Sequence, residues 1–328
     1  MGDTAVIRDV VELNAVYQLK ELGECVDKEA IKSSILSDKP DLLLYPEIGM
    51  NPNSAWLASQ RLASVQVASW GHPVTSGFST IDYYLSGSLL ESAVSKDHYS
   101  EKLVTLPGTG CVTEFTQVAE DYNRLDDSLS NGPTFILPHT PFKFHPENDD
   151  IFIEIAKYCP SAIFLIPDSA KYPKSVTKIL ARISKKFTHS GLEFKDRFLV
   201  FPWLSNGEFL GLLKKVDVYL DLPTFSGYTT AWKAINCGLP VVTLEGEFMR
   251  QRLAAGLLRQ AQMPDTIASS RQEYVEIAVR LAGQSKHKIK YEQYRNRIKS
   301  KSSLADNNIL VIKAFENFVL EAVRKEST

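Results

Sequence analysis

Short apolar runs rich in β-branched and aromatic residues alternate along this chain with longer stretches whose apolar positions recur every three or four residues. The short runs cannot hold a helix and read as buried strands, whereas the longer ones have the period of an amphipathic helix. Strands are predicted at 5–11, 41–45, 65–70, 81–85, 103–106, 134–137, 197–201, 216–222 and 241–244, and helices at 27–37, 55–62, 179–186, 206–215 and 308–323. A helix-like segment at 92–102 and a loop, helix, strand succession after Leu137 complete the pattern. The acidic, polar stretch 120–133 ends in Gly132-Pro133 and reads as a linker.

Segment 216–257 carries the most chemistry. After the run Val216 to Leu222, Pro223, Ser226 and Gly227 break the pattern, and Thr229 and Thr230 stand ahead of an apolar helical run through Trp232, Ala234 and Ile235. That is where N-caps belong. Gly238 and Pro240 stop the helix and 241–244 is the next strand, so the unit is βαβ. Its loop is expected to bring free backbone N–H groups and two hydroxyls to one point. A helix N-terminus has unpaired donors and a partial positive charge, and a glycine admits a phosphate closely. The same residues also serve ordinary capping, and spacing alone does not separate an anion site from a cap. A second glycine-rich turn, GHPVTSG at 71–77, follows the strand at 65–70, at the end where open α/β sheets bind ligands.

The run SGYTTAWKAINCGLPVVTLEGEFMRQRLAAGLL at 226–258, with RQEYVEIAVRLA at 271–282, resembles the nucleotide-sugar half of glycosyltransferase family 41. That family holds the protein O-linked N-acetylglucosamine transferases, the plant SPINDLY-type fucosyltransferases and the bacterial adhesin N-glucosyltransferases. YPEIGMNPNSAWLASQRLASVQVASWGHPVTSG at 45–77, then IDYYLSG and YSEKLVTLP, is similar to the N-terminal lobe of the same family. The resemblance implies an α/β fold of two Rossmann-like lobes, the GT-B arrangement. An acceptor-side lobe is expected at 1–125, a nucleotide-sugar lobe at 126–305, and a helix at 306–328 that crosses back to the first lobe. The implied reaction moves a hexose or N-acetylhexosamine from a UDP-sugar to a polypeptide side chain, Ser/Thr or Asn.

Site residues follow from the same resemblance. Lys143, a surface lysine on pattern alone, stands where the family keeps a lysine against the donor diphosphate. His72 lies in a turn that the family places beside the transferred sugar. It reads either as a structural turn histidine or as a contact to the sugar or the leaving diphosphate, and tyrosine fills the position in many relatives. Gly227, Tyr228, Thr229 and Thr230 form the expected phosphate terminus. Leu204 aligns with the uracil-binding edge, and Phe209 reads either as a base-stacking ring or as a core aromatic. His139 and His145 read as structural.

Two departures stand out. Lys233 replaces an aspartate that many relatives place on the donor ribose, and a carboxylate accepts from hydroxyls where an ammonium cannot. Because residues three or four apart share a helix face, the Lys233 ammonium is expected to meet the diphosphate, leaving the ribose to backbone, water, Glu245 or Glu247. The strand, glycine-rich turn and histidine-bearing helix that open the family's first lobe are not visible before Val6, so that lobe is read as shortened. No 34-residue repeat is found.

Composition narrows the alternatives. With 328 residues, 44% of them hydrophobic, the chain can build two cored lobes, and a net charge of −2 argues against a general nucleic-acid or membrane-surface binder. No spanning run or signal core is present, so a cytoplasmic protein is expected. Four scattered cysteines give no zinc or disulfide pattern, and no acidic pair ends a strand, so neither metal nor cofactor is expected. The basic stretch 284–301 reads as a solvated face. Two other readings stay open: a catalytically weak homologue that binds nucleotide or a partner, recommended by Lys233, and a GT-B nucleotide-sugar epimerase.

Overall fold

The computed structural model describes residues 27–326 apart from 117, 120, 121, 123–131, 286 and 307. The strand predicted at 5–11 and most of the linker lie outside them. In the first lobe β1 (Leu42–Tyr45), β2 (Val65–Ser69), β3 (Tyr83–Gly87) and β4 (Lys102–Leu106) form a parallel sheet in that order. Its register sets Leu44 opposite Val67 and Leu85 opposite Val104. Helix α1 (Lys28–Asp38) starts where the Asp27 side chain accepts from Glu29 N and ends at Lys39, which is left-handed. Helix α2 (Pro52–Ala58) opens on Asn51, whose side chain accepts from Asn53 N, with Pro52 at the first position, where no N–H is needed. It lies three residues upstream of its predicted start. The helix-like segment at 92–102 is only a 3-10 turn at Ser95–His98.

The second lobe contains β5 (Thr134–Ile136), β6 (Ile163–Pro167), β7 (Phe198–Phe201), β8 (Val218–Leu220), β9 (Val241–Leu244) and β10 (Ile267–Ala268), all parallel, in the order β10-β9-β8-β5-β6-β7. The chain builds outward from β5 in one direction and then, from β8, in the other. The switch point therefore falls between β5 and β8, and a ligand crevice opens at their carboxyl ends. Alternate residues of these strands face opposite cores, as the two-residue pleat requires. Phe135, Phe164, Val218 and Leu220 join the core under α3 (Asp149–Tyr158), α4 (Pro173–His189) and α8 (Arg271–Ser285). Ile136, Leu165, Tyr219 and Val241 face α5 (Asn206–Lys215), α6 (Thr229–Asn236), α7 (Leu253–Gln260) and α9 (Lys288–Lys301). Helix α4 is far longer than its predicted span. Pro173 begins it, and Val176, Ile179, Ile183 and Phe187 form its buried stripe.

Two segments tie the lobes. Met249 and Leu253, at the start of α7, are buried in the first lobe's core beside Tyr84 and Leu90. The last helix, α10 (Ile309–Glu326), packs on the first sheet, with Ala322, Phe315 and Phe318 against Val65, Val67 and Leu85. Its buried face is rotated from the stripe read in the sequence, because Ile309 and Ile312 are exposed whereas Val311 is buried. Ahead of the boundary drawn at 125, Phe115, Val118 and Tyr122 already pack on the second lobe.

Candidate active site in the interlobe cleft

The β8–α6 loop is drawn inward by one carboxylate. Asp221, fully buried, accepts from Ser226 Oγ at 2.6 Å, Gly227 N at 2.8 Å and Thr243 Oγ1 at 2.7 Å. Burial pushes its carboxyl above the ordinary aspartate value, against the pull of these donors and of Lys143. The Gly227 N–H is thus committed to Asp221 and is not the free donor the pattern suggested. A Cβ at Gly227 would lie 2.7 Å from Tyr219 Oη and 2.9 Å from Thr230 Oγ1, so the close approach itself requires glycine.

Thr229 and Thr230 are the first two residues of α6 rather than its caps. The cap position is Tyr228, which makes no side-chain capping bond. The Thr230 hydroxyl instead pairs with Tyr219 Oη at 2.8 Å, and Thr229 is exposed. With no side chain closing the helix end, the first-turn N–H groups remain the anion-binding element.

Lys143 approaches from the loop after β5, in a 3-10 turn at Pro141–Lys143. Its Nζ donates to Ser226 O at 2.8 Å and lies 4.1 Å from the centre of the Phe225 ring. Burial pushes its ammonium down to about 8, partly offset by Asp221. Beneath it His139 is fully enclosed, with Nε2 3.3 Å from Leu220 O. Burial, reinforced by Lys143, pushes its imidazole down to about 3. A neutral ring makes its 3.7 Å approach to Asp221 a polar contact rather than an ion pair.

The first lobe supplies the facing wall. Its 71–77 turn is held by Glu101, which accepts from Thr75 Oγ1 and Ser76 N, each at 2.7 Å, and from Ser76 Oγ. Burial opposes ionisation of Glu101, but the Ser76 and Thr75 donors prevail and keep its carboxyl below the ordinary glutamate value. Within this turn His72 packs its ring against Gly49, whose φ of 119° excludes most side chains. Its carbonyl accepts from Tyr84 Oη at 2.8 Å. Among the described residues neither ring nitrogen of His72 has a hydrogen-bond partner.

Between the walls lies a cavity of about 450 Å³. Met50, Trp70, His72 and Pro73 line it from the first lobe, and Thr140, Phe142, Lys143 and Gly227 through Thr230 from the second. The structure therefore unites six of the residues singled out in the sequence. Tyr228 also spans the lobes: its ring meets Trp70 edge-on at 4.7 Å and its Oη donates to Thr109 Oγ1 at 2.9 Å. That role was invisible in the sequence, as was the Asp221 knot, whose partners lie up to 22 residues away.

Leu204 and Phe209 do not line this cavity; they pack at the edge of the second lobe's core. Lys233 also turns away from it. Its Nζ donates to Asn206 Oδ1 at 2.6 Å and lies 5.9 Å over the Phe209 ring, so the expected contact with a diphosphate is not made. Nor do the substitute carboxylates reach the cavity. Glu245 is paired with Arg252 at 2.7 Å and with Arg259, and Glu247 with His98 at 3.2 Å. Among the described residues no group of three or more His, Cys, Asp or Glu converges as a metal site would, and no helix is long and apolar enough to cross a membrane.

This geometry agrees with what the chain is similar to. It is 26% identical over 259 residues to a probable UDP-N-acetylglucosamine–peptide N-acetylglucosaminyltransferase SPINDLY of Petunia hybrida, covering 78% of this chain and 27% of that protein. It is 24% identical over 276 residues to the UDP-glucose:protein N-beta-glucosyltransferase of Actinobacillus pleuropneumoniae serotype 5b (strain L20), covering 81% and 42%. The chain thus spans less than half the length of either relative. Among solved structures, an O-GlcNAc transferase mutant of Thermobaculum terrenum superposes with a TM-score of 0.78 at 22% identity, covering 92% of this chain and 56% of that one. Sucrose-phosphate synthase of Thermosynechococcus elongatus does so at 0.57 and 12%, covering 89% and 76%. These two likenesses establish the two-lobed GT-B fold. The model of Glycosyl transferase family 41 matches residues 139–312, a span that contains the Lys143 turn, the Asp221 knot and the α6 terminus, and the chain belongs to that family.

Proposed function

We propose that this chain is the transfer region of a UDP-sugar-dependent protein glycosyltransferase, moving a hexose or N-acetylhexosamine to a Ser/Thr or Asn side chain. One observation carries the reading: the Lys143 ammonium and the uncapped end of α6 share one wall of an interlobe cavity whose other wall presents His72. In the transfer the bond from sugar C1 to the diphosphate oxygen breaks, its electron pair leaving with UDP, while the acceptor oxygen or nitrogen bonds to C1 and releases its proton. Positive charge placed where the leaving oxygen becomes anionic lowers that barrier. Lys143 and the helix terminus supply it here, so the proposed reaction needs no metal. His72 is assigned to the sugar side, and Leu204 and Phe209 to the base side. Relatives named as peptide and protein transferases support the acceptor class.

A nucleotide-binding module without turnover is a second reading, favoured by Lys233, whose ammonium is engaged with Asn206. Incubation with labelled UDP-sugars, with and without peptides and with and without EDTA, separates the readings. Label on peptide that survives chelation supports the transferase. UDP binding without label movement replaces it with the module, and an altered free sugar nucleotide replaces it with an epimerase.

A further inference from the structure

Two large apolar side chains bordering the cleft cavity stand in solvent: Phe142 is 69% exposed and Met50 63%. They come from opposite lobes, Phe142 from the turn after β5 and Met50 from the loop after β1. Neither exposure reflects a loose loop. Phe142 lies between Pro141, which fixes its own backbone angle, and Lys143, whose N–H donates to Thr140 O at 3.0 Å. The next N–H, of Phe144, donates to Pro141 O at 3.1 Å, and both Pro141 and Phe144 are buried. Met50 is anchored as firmly. Its N–H donates to Glu47 Oε2 at 2.8 Å, the Asn51 N–H reaches the same oxygen at 3.3 Å, and Asn51 then caps α2.

An anchored backbone that holds a bulky apolar group in water contributes nothing to folding through that group; its burial free energy is realised only when something covers it. The donor has no use for it. The diphosphate is met by charge on the Lys143 side of the cavity, and sugar hydroxyls need polar partners rather than a thioether or a phenyl ring. An extended polypeptide does fit. When its modified residue points into the cavity, the residues two positions away point to the same side, onto the rim, because side chains alternate along an extended chain.

We infer that Met50 and Phe142 form a two-sided apolar clamp on the acceptor polypeptide, selecting an aliphatic or aromatic residue two positions from the one that is modified. The inference rests on the reading of this cavity as a transfer cleft, and it adds the acceptor sequence that the cleft prefers.

The test uses the full chain and peptide pairs that carry Ser, Thr or Asn as acceptor and differ only in Leu or Ser two positions away. Peptide binding is read by fluorescence anisotropy in the presence of UDP, and transfer by label from UDP-N-acetylglucosamine and UDP-glucose. Leu peptides should bind roughly tenfold tighter, as expected for covering one such side chain. The preference should vanish in the Met50→Ser/Phe142→Ser double variant and survive in Met50→Leu/Phe142→Leu, with both variants first checked for the parent melting temperature. Equal binding of the two peptides, a preference retained by the serine double variant, or no peptide binding at all overturns the clamp. So does a dimer of the parent that disperses in that variant, since the rim would then be a self-contact. Preference without label transfer supports the clamp while removing the proposed reaction, and transfer without preference removes the clamp alone.

Discussion

Replacing Lys143 by alanine should cut turnover by about 10²–10³ while leaving the fold nearly as stable, and the two magnitudes come from the same geometry. A positive charge about 4 Å from an anion is worth about 4 kcal/mol at the effective dielectric of a partly buried site. Removing one such group from a developing oxyanion costs about 10²–10³ in kcat. On the folding side, burial has lowered the Lys143 ammonium to about 8, which corresponds to about 3 kcal/mol of desolvation that truncation relieves. Truncation also removes the charged hydrogen bond to Ser226 O, worth about 1.5–3 kcal/mol. The two nearly cancel, so the melting temperature should move by only a few degrees. Initial rates of labelled-sugar transfer at saturating donor, set beside calorimetric melting of both proteins, check this. Parental kcat in Lys143→Ala would remove the residue from the mechanism. A large fall in melting temperature that accounts for the lost activity would make it a structural residue.

The same ammonium sets a pH dependence. In the free protein it loses its proton as pH rises through about 8, so UDP affinity measured by calorimetry should weaken above that pH. Folding stability should rise from pH 8 toward the ordinary lysine range, because there the unfolded chain holds a proton that the folded one does not; a flat affinity profile from pH 6 to 10 contradicts both. Gly227→Ala should lower stability by about 1–3 kcal/mol in urea titrations, since its Cβ would meet Tyr219 Oη, Thr230 Oγ1 and His139 within 3.1 Å, and an unchanged midpoint would show that the loop relaxes freely. Lys233→Ala should leave the Kd for UDP within about threefold, as its Nζ is held by Asn206 outside the cavity; a loss of tenfold or more would mean that the ammonium turns to meet phosphate when the nucleotide binds.

What the sequence determined by itself is local and covalently near. Period-two and period-3.6 patterns located β9 and α5 to the residue, because each element's turn signals and buried face lie within its own few residues: Ser205, Asn206 and Glu208 form a capping box. The family was also legible, since two blocks of contiguous residues carry it. Tertiary structure alone decided what depends on residues distant in the chain. Only the strand order β10-β9-β8-β5-β6-β7 puts the loops after β5 and β8 side by side and so brings Lys143 to Ser226. Only the packed loop shows that Gly227 N–H is spent on Asp221, that Thr230 pairs with Tyr219, and that Lys233 reaches for Asn206 instead of the cavity. The buried face of α10 was misread for the same reason. Its apolar arc is wider than one sheet can cover, and the sheet, whose strands lie more than 200 residues upstream, selects Val311, Phe315, Phe318 and Ala322 from it. A helical period specifies which residues can share a face; the surface they meet decides which of them are buried.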